Sequence, residues 1–421
     1  MALMMGAIAD DLTGATDLAN AINGQGLSCL IRVGVPEGAA MSDADAVIVA
    51  LKSRTCLVEE AVDQSLRAFD WLRRAGAGRI LFKYCSTFDS TPKGNIGPVS
   101  EALLDRAGQT LMVHCPAFPD TGRTVVDGRL LVNGVPLSQT PMRDHPLTPM
   151  RRSFLPAVLR AQTQGGVGRL PLATLRQGAR IAARSLDRQR RRHVRHVIAD
   201  AENWEDLALL AAADHERLLA GGASGLGQAV AALLAHGRAV AAPALATVPP
   251  GPALVLAGSC SARTLEQLAV AEARQPVLRL DVGDAAREPA LIERAVAWIA
   301  ANLSPGAPPV VATSAAADER GARQRQHPGI DLAAAAERTL AAIARRATAS
   351  LGVSRLLVAG GETSGAVIEA LGVTAMRVLR PVDPGVPMMV SAEGPPLALI
   401  LKSGNFGRPT LFADGFGHDH D

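Results

Sequence analysis

The chain has 421 residues, 48% hydrophobic and 20% charged, too many for one ordinary core, so two domains are expected. Lys plus Arg number 43 against 40 Asp plus Glu, and a net charge of +3 leaves no electrostatic footprint for nucleic acid. An aromatic content of 3% provides few rings to stack bases or sugars.

The lead MALMMGAIA is too short and uncharged for a signal peptide, and no apolar run is long enough to span a bilayer. The five cysteines are scattered, with no CxxC pair, which fits reduced thiols in a soluble, cytoplasmic protein. Leu3 to Ile8 predicts a first strand, and Asp10 and Asp11 arrive where it must stop. Thr13-Gly14 supplies a hydroxyl and a turn, and Ala15 to Ile22 reads as a helix with Asp17 in its first turn. Carboxylates beside a glycine turn at a strand's C-terminal end sit where open α/β sheets bind ligands. There they can hold sugar hydroxyls, take a proton or bind a metal; an Asp/Thr helix cap is the plainer alternative.

Ser28 to Val35, Ala46 to Leu51, Ile80 to Tyr84 and Leu111 to His114 predict buried parallel strands. Helical periodicity lies between them at Glu59 to Ala75 and Val99 to Ala107. After Arg123, the dipeptides Asp127-Gly128 and Asn133-Gly134 separate three short runs, which predicts a small β-meander. A loop at Thr140 to Pro149, a strand at His193 to Ile198 and a helix at Trp204 to Leu219 follow. The arginine-rich segment Arg180 to His196 reads as a solvated helix face. Gly221 to Gly227 (GGASGLG) has the look of a phosphate loop, but it is read as following a helix, hence as turn and packing.

Ala241 to Pro252, apolar and dense in proline, predicts a linker. Beyond it Ala253 to Ala257, Val277 to Asp281, Val310 to Thr313, Arg355 to Ala359 and Leu397 to Leu401 read as strands, with helices between. The expected architecture is α/β: two domains, each a mostly parallel sheet flanked by helices, with the β-meander inserted in the first. The boundaries are 1–240, linker 241–252 and 253–415.

Three stretches of the second half share a strand, a small polar turn and a helix or bend: Gly258 to Ser261, Gly360 to Gly365 (GGETSG) and Lys402 to Gly407 (KSGNFG). A phosphate needs converging N–H donors, and glycine lets the backbone approach it. No GxxxxGK[ST] is present, so this is no P-loop protein, and no GxGxxG opens the second domain.

In order along the chain, IADDLTGATD, KYCSTFDSTPKGNIGP, HCPAFPDTGRT, HPLTPM, GGETSG and KSGNFG resemble the blocks of the four-carbon acid sugar kinases, which phosphorylate tetronates and 3-oxo-tetronates with ATP. The KYCSTFDS and HPLTPM blocks look most like the 3-oxo-tetronate branch. The resemblance implies phosphorylation of a 4-hydroxyl, with the acid sugar in the first domain and ATP with Mg²⁺ in the second. It carries the nucleotide contacts onto Ser259, Gly360, Gly361, Glu362, Thr363 and Gly404. A tetronate presents a carboxylate, suited to Lys83 and Arg123, and hydroxyls, suited to Ser86 and Asp89. Asp11 is expected nearest the reacting hydroxyl, with Asp10 ordering the loop or the sugar. Metal ligands and a homo-oligomeric state are left open. D-threonate or D-erythronate kinase is the nearest alternative; a NAD(P)-dependent hydroxy-acid dehydrogenase, weakened by the missing GxGxxG, and a non-catalytic sensor are the others.

Overall fold

Short runs of Ala, Val, Ile and Leu become buried strands in the computed structural model, which describes residues 3–38, 43–145, 147–215, 217–237, 247–282, 288–315, 322, 324–327 and 329–417. The chain divides into two units, Met1–Ala241 and Ala242–Asp421. Residues 241–246 of the expected linker and the HDHD tail, 418–421, lie outside the described residues.

The first unit holds β1 (Met5–Ala9), β2 (Cys29–Val33), β3 (Ala46–Ala50), β4 (Arg79–Lys83), β5 (Met112–Cys115), β6 (Arg123–Val126), β7 (Arg129–Val132), β8 (Val135–Pro136), β9 (Gly166–Leu170), β10 (Val194–Ala199) and β11 (Leu219–Gly222). Its main sheet runs β2-β3-β1-β4-β11-β5-β10-β9, with every pair parallel. The order reverses between β1 and β4, which is the topological switch point of such a sheet. Register there places Ala9 beside both Ala50 and Lys83, so three strands end at one level. The helix Val58–Arg74 has Glu59 and Glu60 in its first turn and Arg73 and Arg74 in its last, matching its dipole. It packs Phe69, Trp71 and Leu72 inward. The meander is present: β6, β7 and β8 form an antiparallel sheet. Its turns hold Asp127 and Gly128 at φ 51° and 72°, and Asn133 and Gly134 at 49° and 78°, the left-handed pair that a two-residue hairpin needs.

The GGASGLG segment corrects the sequence reading. The helix Trp204–Ala213 stops early, and the four-residue strand β11 (LAGG) leads directly into the helix Ser224–Ala235. The strand is hard to recognise because it must be small: a Cβ on Gly221 would stand 2.8 Å from His114 Nδ1, and one on Gly222 2.6 Å from the Cys115 carbonyl. Packing explains the next glycine as well, since a Cβ on Gly227 would stand 2.2 Å from Leu18.

The second unit holds β12 (Ala253–Ala257), β13 (Val277–Arg279), β14 (Val310–Ala312), β15 (Arg355–Ala359), β16 (Ala375–Asp383), β17 (Val386–Glu393) and β18 (Ala398–Lys402). Their order is β13-β14-β12-β15-β18-β17-β16; the first five are parallel, and β17 and β16 return antiparallel. Here the order reverses between β12 and β15. The hairpin β16–β17, closed by Pro384-Gly385, was not expected from the sequence. Val255, Leu268, Val310, Leu357, Met388, Ile400 and Phe412 belong to the core of this unit.

Candidate functional site

At the switch point of the first unit the chain leaves β1 as Asp10-Asp11 and β4 as Lys83-Tyr84. Asp10 is 4% exposed. Its N–H donates to the Lys83 carbonyl at 3.0 Å, and its own carbonyl accepts from the Ser53 and Arg54 N–H groups at 3.0 and 3.2 Å. Arg54 grips its carboxylate with two bonds, Nε to Oδ2 at 2.9 Å and Nη2 to Oδ1 at 2.7 Å. The same Nη2 lies 2.8 Å from Asp11 Oδ1.

One guanidinium therefore joins two carboxylates that an extended strand would send to opposite faces. This works because β1 ends at Ala9 and Asp11 has already turned to cap the helix Leu12–Asn23. Asp11 Oδ1 accepts from Gly14 N and Oδ2 from Thr13 Oγ1, each at 2.9 Å. The motif is thus both an acid pair and a helix cap. Burial pushes the Asp10 carboxyl up against the pull of Arg54. For Asp11 burial also acts upward, but Arg54, Lys83 and the bonds from Thr13 and Gly14 outweigh it and hold the carboxyl below its usual range.

Lys83 is buried, and its ammonium donates to the Tyr84 carbonyl at 3.0 Å. A Cβ on Gly14 would stand 2.3 Å from Asp11 Oδ1 and 3.0 Å from Lys83 Nζ, so glycine leaves the room these groups need. Asp17, one helical turn on, is 8% exposed. Its Oδ2 accepts from Ser224 Oγ at 2.6 Å, while Oδ1 is buried without a hydrogen-bond partner. Burial raises its pKa, with Lys83 and Arg123 acting against that rise. Arg123 opens β6 and donates Nη1 to the Thr121 carbonyl, and its buried Nε has no partner. An orphaned acid oxygen and an orphaned guanidinium N–H in one electrostatic neighbourhood are groups that a polar ligand would satisfy.

Asp89 accepts from Thr87 Oγ1 at 2.5 Å and lines a cavity of about 10 Å³ with Asp10, Arg54 and Asn95. Buried Phe88, at φ 53°, bends this loop in a conformation uncommon outside glycine. Ser86 is half-buried on the same loop and is not drawn into the carboxylate contacts. His145 Nδ1 accepts from Thr148 N at 3.1 Å and meets Thr148 Oγ1 at 3.0 Å. Burial pushes the Cys85 and Cys115 thiols up to about 12, so neither is an activated nucleophile.

In the second unit a cavity of about 620 Å³ opens at the ends of β12 and β15. Ser259, Gly360, Gly361, Glu362 and Thr363 line it, facing Leu332, Ala333 and Ala336 of the helix Leu332–Leu351, with Asp281 and Thr313 between. Gly360 caps the helix Gly361–Ala370 at φ 128°, ψ 134°, with no side-chain cap. The first N–H groups of that helix therefore lack intrahelical acceptors, which is how a helix start receives a phosphate. A Cβ on Gly258 would stand 2.1 Å from Thr363 Oγ1, so glycine closes this cradle tightly. Gly404 is not a wall residue. It stands behind Ser259, where a Cβ would lie 2.4 Å from Ser259 Oγ.

Sequence reasoning did not find Arg54 or the Asp17–Ser224 contact, and it placed Lys402 only as the first residue of the KSGNFG turn, with no role of its own. Lys402 had a visible signal: like Lys83, it is a lysine closing an otherwise apolar strand. Among the described residues no cluster of three or more His, Cys, Asp or Glu could hold a metal by itself, and no helix is long and apolar enough to cross a membrane.

A sugar-binding N-terminal domain model matches residues 5–230, and a nucleotide-binding C-terminal domain model matches residues 254–412. The 3-oxo-tetronate kinase of Methylobacterium radiotolerans is 47% identical over 98% of both chains. That of Burkholderia multivorans is 44% identical over 97% of this chain and 96% of its own. A solved Salmonella typhimurium LT2 structure superposes with a TM-score of 0.88 at 36% identity, covering 97% of this chain and 98% of that one. A Haemophilus influenzae structure gives 0.79 at 39% identity with the same coverage. The chain belongs to the four-carbon acid sugar kinase family. A kinase with a nucleotide-binding domain implies ATP use.

Proposed function

We propose that this kinase transfers the γ-phosphoryl group of ATP to the 4-hydroxyl of a 3-oxo-tetronate such as 3-dehydro-erythronate, in a reducing, cytoplasmic setting consistent with its five free cysteines. The observation that carries the reading is the switch-point cluster of the first unit. Lys83 and Arg123 supply cations for a substrate carboxylate, while Asp11 and the orphaned oxygen of Asp17 supply acceptors for hydroxyls.

Arg54 holds Asp10 and Asp11 in place and keeps Asp11 ionised. Asp10 therefore orders the loop, and Asp11 orients the attacking hydroxyl. Ser86 and Asp89 stand on the neighbouring loop, within reach of the far end of a short sugar acid. In the second unit, Ser259 and the Gly360–Thr363 turn receive the polyphosphate, and the alanine-rich helix wall takes the apolar base. Mg²⁺ fits the donors present: it takes one or two carboxylates and completes its shell with phosphate oxygens and water. Asp281 and Glu362 on the cavity wall are oxygen ligands of that kind. The ion supplies charge neutralisation on the transferring group.

The test is ADP release across a panel of tetronates and 3-oxo-tetronates at equal concentration. A 3-oxo-tetronate should give the highest kcat/KM. Preference for D-threonate or D-erythronate would reject this substrate while leaving the kinase assignment intact.

A further inference from the structure

Lys402 is fully buried at the end of β18, and no carboxylate pairs with it among the described residues. Its ammonium donates to Thr264 Oγ1 at 2.9 Å and to the Gly404 carbonyl at 3.0 Å, and lies 5.9 Å from the centre of the Phe412 ring. The same carbonyl also accepts from Ser261 Oγ at 2.5 Å and Thr264 Oγ1 at 3.1 Å. Three donors thus draw one carbonyl inward. Because a peptide unit is planar and trans, the N–H of the following Asn405 points the opposite way. Through its backbone Lys402 also reaches the other side of the cradle, accepting from the Gly360 N–H at 2.9 Å.

A buried ammonium with no acid partner is costly, and an apolar side chain of similar size would fill the space without that cost. The missing counter-charge is an anion. We propose that Lys402 is a positioning residue of the nucleotide site: it fixes the Gly404 turn behind Ser259 and presents buried positive charge beneath the bound polyphosphate. The proposal rests on the nucleotide assignment made above for this cavity.

Burial, assisted by the neighbouring Arg263 on the helix Ala262–Glu272, lowers the Lys402 pKa to about 7. The helix Leu411–Asp414 meets the ammonium with the Phe412 ring, and the Asp414 of that helix is paired with Arg408. On the adjoining strand β15 the register partner of Lys402 is the uncharged Ala359. A bound polyphosphate favours the protonated amine, so binding above about pH 7 takes up a proton.

The experiment is calorimetric titration of the full chain with ADP at about pH 8 in buffers of different ionisation enthalpy, together with steady-state kinetics. Wild type should bind ADP with proton uptake. Lys402→Met should weaken ADP and raise the KM for ATP at least about tenfold, lose the proton uptake, and keep the sugar KM and kcat near wild type. A folded Lys402→Met protein with wild-type ADP affinity, or with unchanged proton uptake, overturns the proposal. If Lys402→Met does not fold, Thr264→Val removes one anchor of the ammonium and one donor to Gly404. It should weaken ADP several-fold, and unchanged affinity would again overturn the proposal. Wild type that binds no ADP would remove the nucleotide site itself and this proposal with it, an outcome distinct from a variant that binds normally.

Discussion

Gly360→Ala is the sharpest probe of the nucleotide cradle, because the same helix carries its control. Gly360 sits at φ 128°, ψ 134°, a region that L side chains rarely adopt, and an added Cβ would lie 3.0 Å from Thr363 Oγ1 and 3.2 Å from Ser259 N. The hydroxyl can rotate away; the backbone nitrogen of a cavity-wall residue has to shift. Strain of this kind costs about 1–3 kcal/mol. For a unit of this size that is a fall in melting temperature of roughly 2–12 °C. The displaced Ser259 and helix start should weaken ADP at least about tenfold, or about 1.4 kcal/mol. Gly365, inside the same helix, has open space around its missing Cβ. Gly365→Ala should therefore stabilise by about 0.5–1 kcal/mol and leave ADP affinity unchanged. Calorimetric titration with parallel thermal melts measures both. Normal ADP affinity in folded Gly360→Ala refutes the assignment, and equal weakening by Gly365→Ala shows that the effect is not local to the cradle.

Asp11→Asn keeps a competent helix cap but removes the charge that aligns the attacking hydroxyl and meets Arg54, so kcat should fall at least about tenfold with some loss of melting temperature; a folded variant within about threefold of wild type, and equal to Asp10→Asn, would show that neither acid serves the reaction. Arg54→Met leaves Asp10 buried without its counter-charge and should destabilise the first unit by about 3–5 kcal/mol in urea unfolding; a loss below about 1 kcal/mol would contradict the pairing seen here. Burial lowers His196 from 6.5 to about 4. Between those values the unfolded chain binds a proton that the native chain does not, so stability should drop as pH is lowered through that window, and His196→Gln should flatten the slope.

Much of this site was legible from residue order alone. Apolar strands such as AVIVA and ALVLA announce themselves, and a parallel sheet places its ligands at their C-terminal ends, which is where Asp10, Lys83, Ser259 and Gly360 stand. What the sequence hid is what tertiary contact decides. Strand β11 is built of small residues because His114 and Cys115 crowd it, so its composition looks like a turn. The hairpin β16–β17 carries prolines and charges that blur its alternation. Arg54 sits in a loop distant in sequence from Asp10, and only the docking of Ser53 and Arg54 onto the Asp10 carbonyl brings its guanidinium to the acid pair.

That docking also separates two carboxylates that look equivalent in the sequence. Asp10 has both oxygens bound to Arg54 and is nearly sealed from solvent, which suits a fixed structural anion. Asp11 is held at both oxygens, but unequally: Oδ1 meets both Gly14 and Arg54, while Oδ2, bound to Thr13 alone, keeps a second lone-pair direction for a ligand hydroxyl. Its lowered pKa makes it a weak proton acceptor and a firm hydrogen-bond acceptor. Phosphoryl transfer through a loose transition state depends on alignment of the nucleophile more than on its early deprotonation. A carboxylate locked in orientation and kept ionised meets that requirement. The unpartnered oxygen of Asp17 suits the complementary task of accepting a hydrogen bond from a further hydroxyl of the substrate.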